Sequence, residues 1–191
     1  MLGLMSKQQL LISALIEHSA KYHGDTEISY STSDGSIKKT NYSETLNRIK
    51  KLANSLINLN IKVGDRIGTL AWSNLRHFEL YYGISGIGAV CHTINPRLFQ
   101  DQIIFIINDA EDKLLFIDLD FVEIINQISP ELKTVEKVIL LCKQKEMPKN
   151  LRFSQEVLCY EELIEKNEKL KKWPEVEENT ASSLCYTSGT T

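Results

Sequence analysis

The stretch Lys113-Leu-Leu-Phe-Ile-Asp118 decides the fold class, because four consecutive apolar residues lie between charged ones. A strand with one solvated face would alternate apolar and polar residues, so this run indicates a strand that is buried on both faces. A second apolar strand is predicted at 135–142, after a predicted helix at 121–128. Buried strands that alternate with helices predict an α/β fold, doubly wound, with a mainly parallel sheet and helices on both faces.

The sequence on both sides of this run supplies further alternating elements. Asn41, with Glu44 three residues later, resembles a capping box and begins the clearest helix, with apolar positions from Leu46 to Ile57. The other predicted elements are helices that begin at Ser6, at Ser73 or Asn74, at Leu98 or Phe99 and at Tyr160, a hairpin at 27–32 and 37–40, and strands at 66–72, 89–94, 156–159 and after residue 181.

The buried faces of two of these helices, and one linker, can also be predicted. The expected faces carry Phe78, Tyr81, Tyr82 and Ile84 on the first helix, and Phe99, Ile103, Ile106, Ile107 and Ala110 on the second. Gly83, Gly86 and Gly88 indicate close approach of the first helix to the sheet. The helix from Tyr160 is expected to reach Leu170, and residues 173–179 are expected to be a linker.

Composition restricts the function and the compartment. The chain has 191 residues with 22 basic and 25 acidic side chains, and the net charge of −3 argues against nucleic acid as the main partner. The longest uncharged apolar run, residues 80–90, is too short to span a membrane. The four cysteines have no metal-ligand spacing, so we expect buried, reduced thiols and a cytoplasmic location. They are Cys91, Cys142, Cys159 and Cys185.

The segment Ser182-Ser-Leu-Cys-Tyr-Thr-Ser-Gly-Thr-Thr191 combines a short apolar strand with a hydroxyl-rich loop. Serine and threonine hydroxyls can donate to phosphate oxygens, and Gly189 allows backbone N–H groups to converge on an anion. On composition alone, an ordinary Ser/Thr/Gly turn is the alternative interpretation. The segment is not a Walker-type P-loop, because no Gly-x-x-x-x-Gly-Lys-Ser/Thr occurs in the chain.

Several segments, taken together, resemble the adenylate-forming (acyl-activating) superfamily. They are Thr40-Asn-Tyr-Ser-Glu44, Val63-Gly-Asp-Arg-Ile67, Ala89 with Asn95-Pro-Arg-Leu98, and Tyr186-Thr-Ser-Gly-Thr-Thr191, in the same order as in the family. The amino-acid sequence from Ser85 to Phe99, followed by Asn108-Asp-Ala-Glu-Asp112, resembles that of the medium- and long-chain fatty-acyl-CoA synthetase branch, which includes methylthiopropionyl-CoA ligase-like enzymes.

The resemblance implies a carboxylate–CoA ligase that uses ATP, Mg²⁺ and coenzyme A with a small carboxylic acid, and it leaves a homodimer of the full-length form open. It assigns the ATP phosphates to Thr187, Ser188, Gly189, Thr190 and Thr191. Tyr186 is expected to pack beneath the loop. In the family the loop continues Gly-x-Pro-Lys-Gly, so residues 1–191 are expected to be an incomplete N-terminal part of an AMP-binding domain without its C-terminal domain.

No residue of this chain is assigned a catalytic role, and the isolated fragment is expected to be inactive, poorly soluble and unable to bind ATP measurably. His77 and His92 are interpreted as core or surface groups, since a single histidine without a partner is rarely a general base. Two alternative functions stay open, a non-catalytic α/β binding or interaction module and an adenylation domain that loads a carrier protein.

Overall fold

The structure is a computed structural model that describes residues 3–4, 7–32 and 35–187. The helices within these ranges are α1 (Ile12–His23), α2 (Tyr42–Asn58), α3 (Leu75–Gly86), α4 (Gln100–Asp109), α5 (Val122–Ile128) and α6 (Tyr160–Glu165). The strands are β1 (Glu27–Ser31), β2 (Ile37–Asn41), β3 (Arg66–Leu70), β4 (Val90–Thr93), β5 (Leu114–Ile117), β6 (Lys137–Leu140), β7 (Glu156–Cys159) and β8 (Ser183–Cys185). The predicted hairpin is confirmed as the antiparallel pair β1–β2.

Six strands form one parallel sheet in the order β7-β6-β5-β3-β4-β8. The chain enters this sheet in the middle, because β3 pairs with β4 on one side and with β5 on the other. The connection from β4 to β5 therefore crosses β3. Since helices cover both faces of the sheet, the predicted α/β class with a parallel sheet between helices is confirmed.

Strand β5 shows why the apolar run decided the fold class. All four of its residues are buried. Phe116 packs into the layer formed with α2, α3 and α6, whereas Leu115 and Ile117 pack into the layer formed with α4 and α5. Each fully buried apolar side chain stabilises the fold by about 1.5–3 kcal/mol, so neither face of β5 could accept a polar residue without cost.

The two glycines of α3 permit a close approach, but Gly83 approaches α2 and Gly86 approaches the Trp173 ring, and neither approaches the sheet as predicted. A Cβ built on Gly83 would lie 2.6 Å from Leu52 Cδ2 of α2. The predicted buried face of α3 is also wrong in part, because Tyr81 is 41% exposed while Leu80 is fully buried. The physical reason is the buried carboxylate of Glu79, whose ionic partners turn a polar position of the helix inward.

That carboxylate belongs to a network that joins α2, α3 and α6. Arg48 pairs with both Glu79 and Glu161, and Arg76 donates to Glu161 Oε1 over 2.8 Å. The fully buried Tyr160 donates its hydroxyl to Glu79 Oε2 over 2.7 Å. Burial raises the pKa of Glu79, and Arg48 and Tyr160 oppose that rise. The network is satisfied on all sides, which is the condition for keeping a charge in a core.

Two helices start later than predicted. Helix α1 begins at Ile12, and the chain before it is extended, where the Leu10 N–H donates to Glu178 Oε2 over 3.0 Å. Ser6, the predicted cap, lies outside the described residues. Phe99 was predicted on the buried face of α4 but is 78% exposed, because it is the extended N-cap residue and its N–H donates to Gln102 Oε1.

The segment after α6 leads to β8 without a helix or strand, as the linker predicted at 173–179 should, but its first residues are anchored to the core. Helix α6 ends at Glu165 and the chain turns back, so that the Leu170 N–H donates to Lys50 O. The Trp173 indole packs against Gly86 and donates to Glu17 Oε1 over 2.9 Å. These contacts fix residues 170–173 on the layer formed by α1, α2 and α3.

The four cysteines are free thiols, as predicted, but one of them is not buried. Cys91, Cys142 and Cys159 are buried, whereas Cys185 is exposed because it lies in the edge strand β8. In the described ranges there is no helix whose length and hydropathy would let it cross a membrane.

Candidate functional site

Strand β8 brings the hydroxyl-bearing segment to the carboxyl edge of the sheet. It pairs with β4 in parallel register, with Thr93 opposite Cys185. The predicted terminal strand is therefore confirmed, and Tyr186 and Thr187 leave the sheet beside the end of β4. In open α/β sheets, ligands bind outside the carboxyl ends of the strands, so this edge is the place to look for a site.

Tyr186 is held at both ends of its side chain. Its hydroxyl donates to Asp109 Oδ2 over 2.6 Å, and its ring lies 5.2 Å from the His92 ring between centroids. Burial, and then the hydrogen bond to Asp109, raise the pKa of Tyr186 to about 12, so the hydroxyl stays protonated at neutral pH. The ring packs against the α4–α5 layer, in agreement with the expectation that Tyr186 has a packing role.

Behind Tyr186 lies a fully buried pair formed by His92 of β4 and Asp112, which precedes β5. The distance from His92 Nδ1 to Asp112 Oδ2 is 2.7 Å, and neither side chain is exposed. Burial raises the pKa of Asp112, and the contact with His92 opposes that rise. His92 therefore has a carboxylate partner, which corrects its interpretation as a histidine without one.

Gly68 of β3 makes room for this pair. A Cβ built on Gly68 would lie 2.7 Å from Asp112 Oδ2, which is closer than side-chain carbons approach carboxylate oxygens. Gly68 is also the register partner of His92 across the β3–β4 ladder. The centre of the sheet is thus shaped to hold a carboxylate beside an imidazole.

An open cleft of about 500 Å³ lies beside Tyr186 and Thr187 at the carboxyl edge. One wall comes from α4 and the turn before it, and the other from the two residues after β8. The side chains that define it include Asn95, Leu98, Gln102, Phe105, Tyr186 and Thr187. The lining is mainly apolar with a few polar groups, as in sites that take small organic ligands.

The structure locates one of the five predicted phosphate-binding residues. Thr187 is exposed and borders the cleft, where its hydroxyl is accessible to a ligand. Ser188, Gly189, Thr190 and Thr191 lie outside the described residues. Their assignment therefore stays a prediction, and Thr187 shows only where the segment begins.

Two other buried titratable groups lie near the carboxyl edge, and both have structural partners. His77 Nε2 lies 3.2 Å from Thr69 Oγ1, and burial lowers the pKa of His77. Asp118 accepts the Trp72 N–H over 2.7 Å, and burial raises the pKa of this carboxyl. His77 is thus a core group, as predicted.

The model of the AMP-binding enzyme family matches residues 16–191, which is most of the chain. The chain belongs to the AMP-binding enzyme family. In this family member the matched region includes the whole parallel sheet, the His92–Asp112 pair and the segment after β8.

Relatives within the AMP-binding family are similar over the entire chain. The chain is 47% identical over 194 residues to the 3-methylmercaptopropionyl-CoA ligase of Ruegeria lacuscaerulensis, and all of this chain and 35% of that protein are covered. It is 43% identical over 196 residues to the medium-chain-fatty-acid–CoA ligase of Ectopseudomonas oleovorans, with the same coverage of both chains. The chain thus spans about a third of the length of the curated relatives it matches.

Solved structures agree on the fold. The crystal structure of the anthranilate CoA ligase AuaEII in complex with anthranoyl-AMP superimposes with a TM-score of 0.81 at 18% sequence identity. The superposition covers 96% of this chain and 33% of that one. At this level of identity the agreement shows the architecture alone, and it shows that the six-stranded sheet is part of that architecture.

Proposed function

We propose that the full-length protein is an ATP-dependent carboxylate–CoA ligase. The observation that carries the proposal is similarity over the whole chain, at 43–47% identity, to proteins named as CoA ligases. The acids in the names of these relatives favour a fatty or a short- to medium-chain acid, with 3-methylmercaptopropionate among the candidates. Residues 1–191 would form the N-terminal part of the adenylation domain, and the protein would be cytoplasmic, in keeping with its free thiols.

The chemistry explains why a phosphate-binding segment is needed. A carboxylate oxygen of the acid attacks the α-phosphorus of ATP, the bond to the bridging oxygen breaks, and pyrophosphate leaves with that electron pair. The CoA thiolate then attacks the acyl carbon, and AMP leaves. Negative charge grows on the departing β-phosphate in the first step, so donors positioned there lower the barrier.

The chain's own contribution would be to hold the departing phosphates. Thr187, Ser188, Thr190 and Thr191 would supply hydroxyl donors, and Gly189 would let backbone N–H groups approach the phosphate oxygens. Thr187 is well placed for this role, because it is exposed at the carboxyl edge of the sheet. Each hydrogen bond to a charged phosphate contributes about 1.5–3 kcal/mol.

Magnesium would enter with ATP and is not assigned to a site on this chain. Residues 3–4, 7–32 and 35–187 contain no group of three or more His, Cys, Asp or Glu side chains that could hold a metal ion. Coenzyme A would take part as a co-substrate.

The test is an assay of the full-length protein with ATP–Mg²⁺, CoA and carboxylic acids of increasing chain length. We expect equimolar AMP and pyrophosphate, and an acyl-CoA product that forms only when all three substrates are present. A protein that releases no pyrophosphate with any acid would contradict the proposal. Acyl-AMP that forms without transfer to CoA would instead favour an adenylation domain that loads a carrier protein.

The role of the segment after β8 is tested by Thr187→Ala, with Ser183→Ala as the matched control. Both changes remove one exposed hydroxyl, but Ser183 lies within β8 and Thr187 lies beyond its end. We expect Thr187→Ala to lower kcat/KM for ATP by at least about tenfold, the equivalent of one hydrogen bond to a charged group. The control should leave this ratio unchanged.

A further inference from the structure

We propose that His92 and Asp112 are positioning residues that set the Tyr186 ring, and through it the start of the phosphate-binding segment, for ATP. The inference rests on the proposed function and adds residues that the sequence pattern did not assign to the site. It is carried by the geometry of the pair, by its contact with Tyr186 and by the weak anchoring of β8.

The pair is an expensive feature to bury in the centre of a sheet. Both side chains are fully buried, and the sheet has a glycine at position 68 where any Cβ would meet the Asp112 carboxylate. Apolar residues of similar volume would often be as stable or more stable than a buried charged pair. Packing alone therefore does not explain why this position carries an imidazole and a carboxylate.

The bond between the two side chains is the one hydrogen bond that orients the His92 ring within the described part of the chain. His92 Nε2 and Asp112 Oδ1 are buried and have no hydrogen-bond partner there. Buried polar atoms without a partner are rare and call for an explanation. With Nε2 unpaired, rotation of the imidazole is resisted only by the Nδ1–Oδ2 bond and by packing.

The oriented ring in turn supports Tyr186. The two rings are tilted by 50° with centroids 5.2 Å apart, a favourable arrangement for aromatic rings. The far end of Tyr186 is bound to Asp109. Tyr186 is thus fixed from β4 and from the end of α4, directly before Thr187.

Strand β8 needs this support, because its own hydrogen bonds are few. It has three residues, and among the described strands it pairs only with β4. A short edge strand frays easily, so the direction in which the chain leaves β8 depends on the Tyr186 side chain. A displacement of about 1 Å takes a phosphate contact out of hydrogen-bonding range.

The experiment measures ATP affinity by calorimetry, and KM and kcat for both ATP and the acid, in the full-length protein. Asp112→Ala removes the group that orients His92, and we expect ATP to bind about tenfold more weakly, with an unchanged KM for the acid. Asp112→Asn keeps the shape and an oxygen acceptor for the Nδ1–H, so it should restore ATP affinity to within about threefold of the wild type.

The matched control is Cys91→Ala. Cys91 is the neighbour of His92 in β4 and is equally buried, but it packs on the opposite face of the sheet. It should lower the melting temperature without changing ATP affinity. If Asp112→Ala fails to fold, the double variant His92→Phe/Asp112→Ala removes both polar partners while keeping an aromatic ring, and it should show the same loss of ATP affinity.

The outcomes separate this inference from the proposed function. If the wild type binds ATP but activates no acid, the proposed function fails. The inference still stands in that case if Asp112→Ala weakens ATP binding. If the wild type is an active ligase and Asp112→Ala lowers ATP affinity no more than Cys91→Ala does, the inference alone is overturned. A wild type that does not bind ATP overturns both.

Discussion

The Tyr186 hydroxyl donates a 2.6 Å hydrogen bond to Asp109 Oδ2, and this bond joins residues that lie 77 positions apart in the chain. It connects the end of α4 with the residue that follows β8. Because the acceptor is exposed, the bond contributes little to stability, and its value lies in fixing the direction of the chain before Thr187.

Tyr186→Phe should therefore weaken ATP binding at only a small cost in stability. The substitution keeps the ring against His92 and removes only the bond to Asp109. We expect a loss of about 0.5–1.5 kcal/mol in the free energy of unfolding and a rise of a few-fold in KM for ATP. Denaturant unfolding and initial rates of the full-length enzyme check both. Tyr22→Phe changes an exposed tyrosine of α1 and is the control; equal effects of the two changes would contradict the assignment.

Glu79→Ala should be among the most destabilising single changes in the chain. It leaves the buried Tyr160 hydroxyl unpaired and removes one of the two carboxylates that neutralise Arg48. We expect a loss of about 3–5 kcal/mol in denaturant unfolding. Glu162→Ala on α6 removes the carboxylate of a largely exposed ion pair with Lys166 and should change stability by less than about 1 kcal/mol. A similar loss in both variants would refute the network's role.

Gly86→Ala tests the anchor of the segment that follows α6. The added Cβ would lie 2.5 Å from the Trp173 ring, which Glu17 holds in place, so we expect a loss of about 1–3 kcal/mol in the free energy of unfolding. In a Trp173→Ala background the clash is absent. The same change should then stabilise the protein by up to about 1 kcal/mol, because alanine is the better helix former. A double-mutant cycle without this change of sign would argue against the contact.

The parts of the fold that could be predicted from sequence are those whose cause is local. The run Leu114–Ile117 is apolar on both faces, and Asn41 caps α2 by accepting the Glu44 N–H over 2.8 Å, so both were predicted. The face of α3 was partly mispredicted because Glu79 is buried by its ionic partners. Those partners come from distant elements, which hydrophobic periodicity does not reveal.

The candidate site, too, could be predicted from the sequence only in part. Thr187 could be proposed as a site residue from the amino-acid sequence of its own segment. The pairing of His92 with Asp112 could not, because it depends on the strand order, on the register that places His92 beside Gly68, and on the missing side chain there. A histidine inside an apolar strand, with an aspartate directly before the next strand, was the one available signal.

The Cys91 thiol should make folding less stable at high pH. Burial raises the pKa of Cys91 from 9.0 to about 12, so the unfolded chain loses this proton first and stability falls between those pH values. The fall is about 1.4 kcal/mol per pH unit for this group. The stability advantage of the wild type over Cys91→Ala should therefore shrink as the pH rises through this window. Denaturant unfolding of the wild type and of Cys91→Ala across this window is the measurement.

A polypeptide of these 191 residues alone should not bind ATP measurably. Ordering about six loop residues costs roughly 1–2 kcal/mol each, which is similar to what three or four phosphate contacts return.

The 191-residue polypeptide should also aggregate, because two large apolar side chains are exposed. Phe99, which precedes α4, is 78% exposed, and Phe105, within α4, is 62% exposed. Phe105→Glu should raise solubility. The matched control is Ile37→Glu, at an exposed site in the separate hairpin, and it should raise solubility less. Micromolar ATP affinity in calorimetry, or a monodisperse wild-type fragment, would show this reasoning to be wrong.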